Sequence, residues 1–201
     1  MLPNSSDRAA LRKQGRLARR SLSPSARRAG TAQLNKRLCY QLHSAKRVAL
    51  YLAFDGEPDV LATIAALSQQ GKQVYLPQLT KRGMRFVSLQ ALIRGRTNQY
   101  GILEPHKSAT TIASKRLQAI VMPLTAYDAN GERLGMGAGY YDRTLAWRHN
   151  RRQWLGPKLI GAAWRAQHAE KIPTEVWYIR LDALCNEKQT LRFSRTVRNN
   201  R

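Results

Sequence analysis

Apolar residues fall in short blocks separated by polar, glycine- and proline-containing stretches. Arg47 to Ala53 (RVALYLA) is a near-continuous apolar run and predicts a buried strand. Gln118 to Leu124 is the best candidate for a central strand, and Leu159 to Trp164 has the same character. Gln73 to Pro77 and Met84 to Leu89 predict shorter strands, with a last one over Val176 to Leu181. Asp7 to Arg20 predicts a helix: Arg8, Arg12, Arg16 and Arg20 recur every fourth residue and line one face, while Leu11, Ala18 and Leu22 point elsewhere. Ser23-Pro24 reads as an N-cap with proline at the first helical position, opening a second helix that runs to about Leu42. Asp59 to Gln70 predicts a third helix, stopped by Gly71, and Tyr140 to His149 a fourth. Phe54 to Pro58 is a loop, Tyr100 to Pro105 a loop or edge segment, and Asp128 to Gly131 a turn. Strands alternating with helices imply an α/β domain with a mostly parallel sheet.

The 201 residues fit one domain, expected over 1–192, followed by a basic, disordered tail over 193–201. No apolar run approaches a membrane span, and no apolar stretch follows the N-terminal charges as in a secretory signal. Cys39 and Cys185 lie far apart without a ligand motif, so the expectation is two reduced thiols in a cytoplasmic protein. His43, His106, His149 and His168 show no ligand spacing and read as surface or capping residues. The net charge of +23 is uneven. Residues 1–47 carry 12 Lys/Arg against one acid, residues 143–201 carry 13 against four, and the middle carries ten against seven. Such a chain attracts polyanions: nucleotides, folate polyglutamates, RNA or lipid headgroups. An ordinary solvated basic surface is the competing reading.

The middle segment holds the candidate chemistry. Arg133-Leu134-Gly135-Met136-Gly137-Ala138-Gly139-Tyr140-Tyr141-Asp142-Arg143 alternates glycines with small or flexible residues, then adds aromatics, a carboxylate and a cation. Glycines let backbone N–H groups approach a phosphate, and a helix starting near Gly139 would add to that attraction. Tyr140 and Tyr141 supply ring faces, and Asp142 a carboxylate for a metal ion on phosphates. The spacing is neither the dinucleotide fingerprint nor a P-loop, and no nucleophile elbow for a hydrolase exists. Glu57 follows a buried strand, where ligands bind in open α/β sheets, yet it reads equally as a loop carboxylate in water.

The Arg133–Arg143 run resembles the signature of the 5-formyltetrahydrofolate cyclo-ligase family. The similarity extends to Arg8-x-x-x-Arg12, Leu22-Ser23-Pro24, Gly56-Glu57-Pro58-Asp59, Gly71-Lys72-x-Val74-x-Leu76-Pro77, Tyr100-Gly101-Ile102-x-Glu104-Pro105, Val121-x-Pro123-Leu124 with Tyr127-Asp128, and Leu159-Ile160-Gly161-Ala162-Ala163 with Gln167 and Pro173. The resemblance implies a three-layer αβα, Rossmann-like fold with a mostly parallel sheet, of the cyclo-ligase and NagB/RpiA-like kind. It implies ATP- and Mg²⁺-dependent conversion of 5-formyltetrahydrofolate, free or polyglutamylated, to 5,10-methenyltetrahydrofolate through a phosphorylated formyl group, by a monomer. Carried over, ATP would meet Arg8, Arg12 and the run Arg133, Leu134, Gly135, Met136, Gly137, Ala138, Gly139, Tyr140 and Tyr141. Folate would meet Leu52, Glu57, Gly137, Gly139 and Tyr140, and Mg²⁺ would meet Asp142. No protein nucleophile is implied. The chain departs from the family at Ala138 and, more heavily, at Tyr178, where the family has an Asp as second metal ligand. Asp182 lies about 13 Å further along a strand, too far to substitute. Two alternatives follow: a non-catalytic folate- or nucleotide-binding homologue, and a basic RNA-associated protein.

Overall fold

In chain order the elements are α1 (Ser5–Arg20), α2 (Pro24–Gln41), β1 (Arg47–Ala49), α3 (Leu61–Gln69), β2 (Gln73–Thr80), β3 (Gly83–Ser88), α4 (Leu89–Ile93), β4 (Arg96–Thr97), β5 (Leu103–Glu104), β6 (Thr111–Ile112), β7 (Ala119–Pro123), β8 (Ala126–Tyr127), β9 (Arg133–Leu134), α5 (Tyr140–Leu145), β10 (Lys158–Ala162), β11 (Ala183–Cys185) and β12 (Thr190–Arg192). The computed structural model describes residues 5–80, 83–93, 96–97, 103–104, 109–150 and 156–194. His106, Arg195–Arg201 and most of the Tyr100–Pro105 segment lie outside the described residues.

The main sheet has the order β12-β11-β10-β7-β1-β2-β3-β6. The five strands from β11 to β2 are parallel, and β12, β3 and β6 add antiparallel edges. This is the mostly parallel α/β sheet expected from the alternation of elements. The period of two along β7 divides the core: Ala119 and Val121 face the side covered by α2 and α3, while Ile120 and Met122 face the opposite side with Leu145 and Leu159. On α2, Gly30, Leu34 and Leu38 are spaced by four and form the buried stripe. The Ser23 hydroxyl accepts the Ala26 N–H at its start, as the Ser-Pro pair predicts. Asn35 joins α2 to α3: its Oδ1 accepts the Thr63 N–H and hydroxyl, and its Nδ2 donates to Asp59 O.

Several boundaries differ from the sequence expectation. β1 ends at Ala49, because after Leu50 the chain leaves the sheet to wall a cleft, with the Tyr51 hydroxyl donating to Pro58 O. Val176–Leu181 is not a strand. Its groups bond irregularly: Tyr178 N–H to Glu175 O, Ile179 N–H to the Asp142 carboxylate, and Leu181 N–H to Gly131 O. Val176 and Trp177 stay exposed instead of entering the sheet, and the edge strands are β11 and β12, which follow. The helix from Tyr140 tightens to a 3₁₀ turn at Ala146–Asn150. The expected tail does not begin at Phe193, whose amide donates to Asp182 O and whose ring packs on the core. Among the described residues no helix is long and apolar enough to cross a membrane.

Candidate active site

At the carboxyl ends of β1, β2 and β7 lies a cleft of about 1150 Å³. This is the edge of an open α/β sheet where ligands bind. The glycine run forms one wall. The β8–β9 hairpin feeds it, and Thr125 fixes its start by donating N–H and hydroxyl to Leu134 O, with the hydroxyl also reaching Gly135 O at 3.2 Å. Gly137 has φ +113° and Gly139 +65°, conformations that side chains rarely adopt. A Cβ at Gly137 would point to the Arg12 guanidinium, 3.9 Å away. Arg12 lines the cleft and donates Nε to Gly135 O at 3.1 Å. α1 reaches the loop because Gly15 lets it press on the hairpin: a Cβ there would sit 1.9 Å from Thr125 O.

Arg133 and Asp142 form a mostly buried ion pair at 2.8 Å beside the glycine loop. Asp142 Oδ1 also accepts the Ile179 N–H, and Oδ2 has no protein donor among the described residues. Arg133 Nε is buried without a partner among them. Tyr141 packs under the Arg133 guanidinium, and burial, opposed by Arg133, raises its phenol pKa. Arg143 lies over the Tyr140 ring, 5.2 Å from its centroid. Tyr178 lines the far wall with Trp177. Its hydroxyl accepts from Arg8 at 2.6 Å, and Arg8 also approaches Glu175 at 3.9 Å.

On the opposite wall stand Leu52, exposed at the rim, and Glu57, whose side chain is 8% exposed. Burial pushes the Glu57 pKa up, partly offset by the Phe54 N–H it accepts and by Arg19. Asp55 shows the reverse: against the upward push of burial, hydrogen bonds from Arg19 and Arg20 hold it below its ordinary value.

The structure thus brings Arg12, Leu52, Glu57 and every residue from Arg133 to Asp142 to one cleft. Arg8 stands behind Tyr178 instead of lining the cleft. His43, His149 and His168 lie elsewhere, bonded to Tyr40 O, bonded to Trp177 O and set edge-on to Tyr127. Asp182 is also remote: it accepts the Leu159 N–H and pairs with Arg148. Among the described residues no cluster of three His, Cys, Asp or Glu could hold a metal by itself. A magnesium ion arriving on phosphates needs only one or two protein carboxylates, and Asp142 Oδ2 fits that smaller demand. Cys185 is buried, its thiol pushed up to about 11 by burial, and Cys39 is also a free thiol. Sequence reasoning missed Arg19, Tyr51, Trp177 and the β2 residues Leu76 to Leu79. The missed signal for Arg19 is a 4-3-4 spacing of Arg8, Arg12, Gly15 and Arg19, which keeps to one helical face.

Residues 4–187 match the 5-formyltetrahydrofolate cyclo-ligase family. A Haemophilus influenzae 5-formyltetrahydrofolate cyclo-ligase is 39% identical over 143 residues, 68% of this chain and 73% of that one. The Escherichia coli K12 enzyme of the same name is 38% identical, covering 70% and 77%. Among solved structures, the Aquifex aeolicus 5,10-methenyltetrahydrofolate synthetase superposes with TM-score 0.76 at 28% identity over 96% of this chain and 94% of that one. On these grounds and on the shared fold, the chain belongs to the 5-formyltetrahydrofolate cyclo-ligase family.

Proposed function

We propose that this protein converts 5-formyltetrahydrofolate to 5,10-methenyltetrahydrofolate at the expense of ATP. The observation that supports it is the union in one cleft of a glycine loop, the three arginines Arg12, Arg133 and Arg143, and an apolar wall with the buried carboxylate of Glu57. The N5-formyl oxygen attacks the γ-phosphorus, and the bond to ADP breaks. N10 then attacks the activated formyl carbon, phosphate departs with the former formyl oxygen, and the N10 proton is released. The chemistry asks for positioning and charge stabilisation more than for a protein nucleophile. In this reading the loop amides from Gly135 to Gly139 and Arg12 hold the phosphates. The unpartnered Arg133 Nε offers a donor to a phosphate or formyl oxygen. Leu52 and Tyr140 border the folate, and Glu57 accepts from N–H groups of its ring. Asp142 would hold Mg²⁺, which supplies charge neutralisation on phosphate when bound.

The test is a rate assay with ATP, Mg²⁺ and 5-formyltetrahydrofolate, read by the absorbance of the methenyl product. ATP-dependent growth of that absorbance is the expected result; its absence at every magnesium level overturns the reading. A second reading, a binding protein without turnover, is favoured by one observation: Tyr178 lines the cleft in place of a carboxylate, and its hydroxyl is already bonded by Arg8.

A further inference from the structure

Arg19 is fully buried, and its guanidinium reaches three residues that line the cleft, Glu57, Leu124 and Met136, besides Asp55. Nε donates to Asp55 O at 2.7 Å, and Nη2 to Asp55 Oδ2 at 2.9 Å. Nη1 stands 3.5 Å from both Glu57 Oε1 and Leu124 O, at the end of β7. Met136 Sδ, on the glycine loop, lies 4.0 Å from Nη2. One guanidinium from α1 therefore touches the loop after β1, the end of β7 and the glycine run. A buried ion pair is often no more stabilising than apolar residues of the same volume, so stability alone does not account for an arginine here.

The loop it grips is also held in an unusual backbone. Asp55 has φ +51° and Gly56 +78°. Arg20 pairs with the second Asp55 oxygen, and Gly56 O accepts from Trp164 Nε1 at 2.9 Å and from Arg27 at 3.3 Å. All of these fasten the two residues before Glu57. Arg19 alone among these groups touches the Glu57 carboxylate itself. Among the described residues Glu57 has two partners, Arg19 and the Phe54 N–H, one on each oxygen.

We propose that Arg19 is a positioning residue for the folate subsite: it fixes the Glu57 carboxylate in the cleft without touching the substrate. The inference rests on the assignment of folate to the Glu57 wall. Its signature is selectivity. Arg19 acts through Glu57, so its loss weakens folate binding far more than nucleotide binding, and does so only while Glu57 carries its carboxylate.

The experiment is a double-mutant cycle. The wild type, Arg19→Met, Glu57→Gln and the double variant are titrated calorimetrically with 5-formyltetrahydrofolate and, separately, with ATP, and their thermal unfolding is recorded. Arg19→Lys runs through the same cycle as a second variant, because it keeps a cation in the buried position if the apolar one fails to fold. Arg19→Met is expected to weaken folate binding by about tenfold, the scale of coupling between two charges in contact, and ATP binding much less. Arg19→Lys recovers part of the loss. In the Glu57→Gln background, either Arg19 change adds little. Equal losses for folate and ATP, or the same folate loss in both Glu57 backgrounds, would overturn the proposal and leave Arg19 a purely structural residue. A wild type that binds no 5-formyltetrahydrofolate would instead defeat the functional reading on which it rests.

Discussion

Asp55 sits in the left-handed region with its carboxylate shared between Arg19 and Arg20. Asparagine tolerates that backbone and keeps an acceptor, so Asp55→Asn removes mainly the charge. The folded state holds the Asp55 pKa low, so its contribution is present near neutrality and lost as pH falls through that depressed value. Asp55→Asn is expected to lower stability at pH 7, with the gap from wild type closing in acid. Denaturant melts across pH read this out, and a gap that does not change with pH would contradict it. Gly137 offers a different test. Its φ of +113° puts about 1–3 kcal/mol of strain on any other residue. A side chain there also occupies the space beside Arg12. Gly137→Ala is expected to weaken ATP binding by more than tenfold in a protein that still folds cooperatively. Calorimetry finding unchanged ATP affinity would remove the loop from the phosphate site.

Among the elements, α1 shows how much was legible and what was not. The helix follows from the sequence almost to the residue, but the row Arg8, Arg12, Arg16, Arg20 is not its inner face. Steps of four drift off a 3.6-residue period, so Arg20 ends exposed while Gly15 and Arg19 are buried. The glycine run and Glu57 were readable because backbone access and carboxylate chemistry leave a local mark. Trp177 had no such mark: its segment has the composition of a strand, and only its crossing over Asp142 places it at the cleft. The close docking of α1 yields another expectation. Gly15→Ala drives a methyl into Thr125 O, 1.9 Å from its ideal position. Overpacking of this kind costs about 1–3 kcal/mol or more. Because Arg12 and Arg19 ride on the same helix, nucleotide and folate affinities should fall together with the melting temperature. A melting loss with both affinities intact would show that the helix and the cleft are not coupled.

Across the whole molecule, the magnesium question joins α5 to the segment beyond residue 173. Asp142→Ala is a poor probe, because it also strands the buried Arg133. Asp142→Asn keeps an acceptor for Arg133 and Ile179 while removing the charge. With rates measured against magnesium at fixed ATP, Tyr178→Asp should lower the magnesium needed for half-maximal rate and Asp142→Asn should raise it. An unchanged requirement in Asp142→Asn would refute the metal assignment; a silent wild type revived by Tyr178→Asp would favour the binding-protein reading. The sheet itself was legible as a parallel core, since continuous apolar runs mark strands covered on both faces. Its parallel order depends on pairings between distant segments that no local pattern records, whereas β2–β3 and β11–β12 at the two edges are hairpins of neighbouring strands.

The cleft is closed by contacts from late in the sequence back to earlier segments: Arg8 reaches Tyr178 across 170 positions, and Asp142 receives Ile179 across 37. During synthesis, α1 emerges long before the segment that completes the far wall, and the glycine loop also precedes it. A nascent chain lacking that segment holds only part of the cradle. Ligand capture is therefore tied to the end of assembly, and a ribosome-bound or prematurely stopped chain has no complete pocket with which to sequester its ligands.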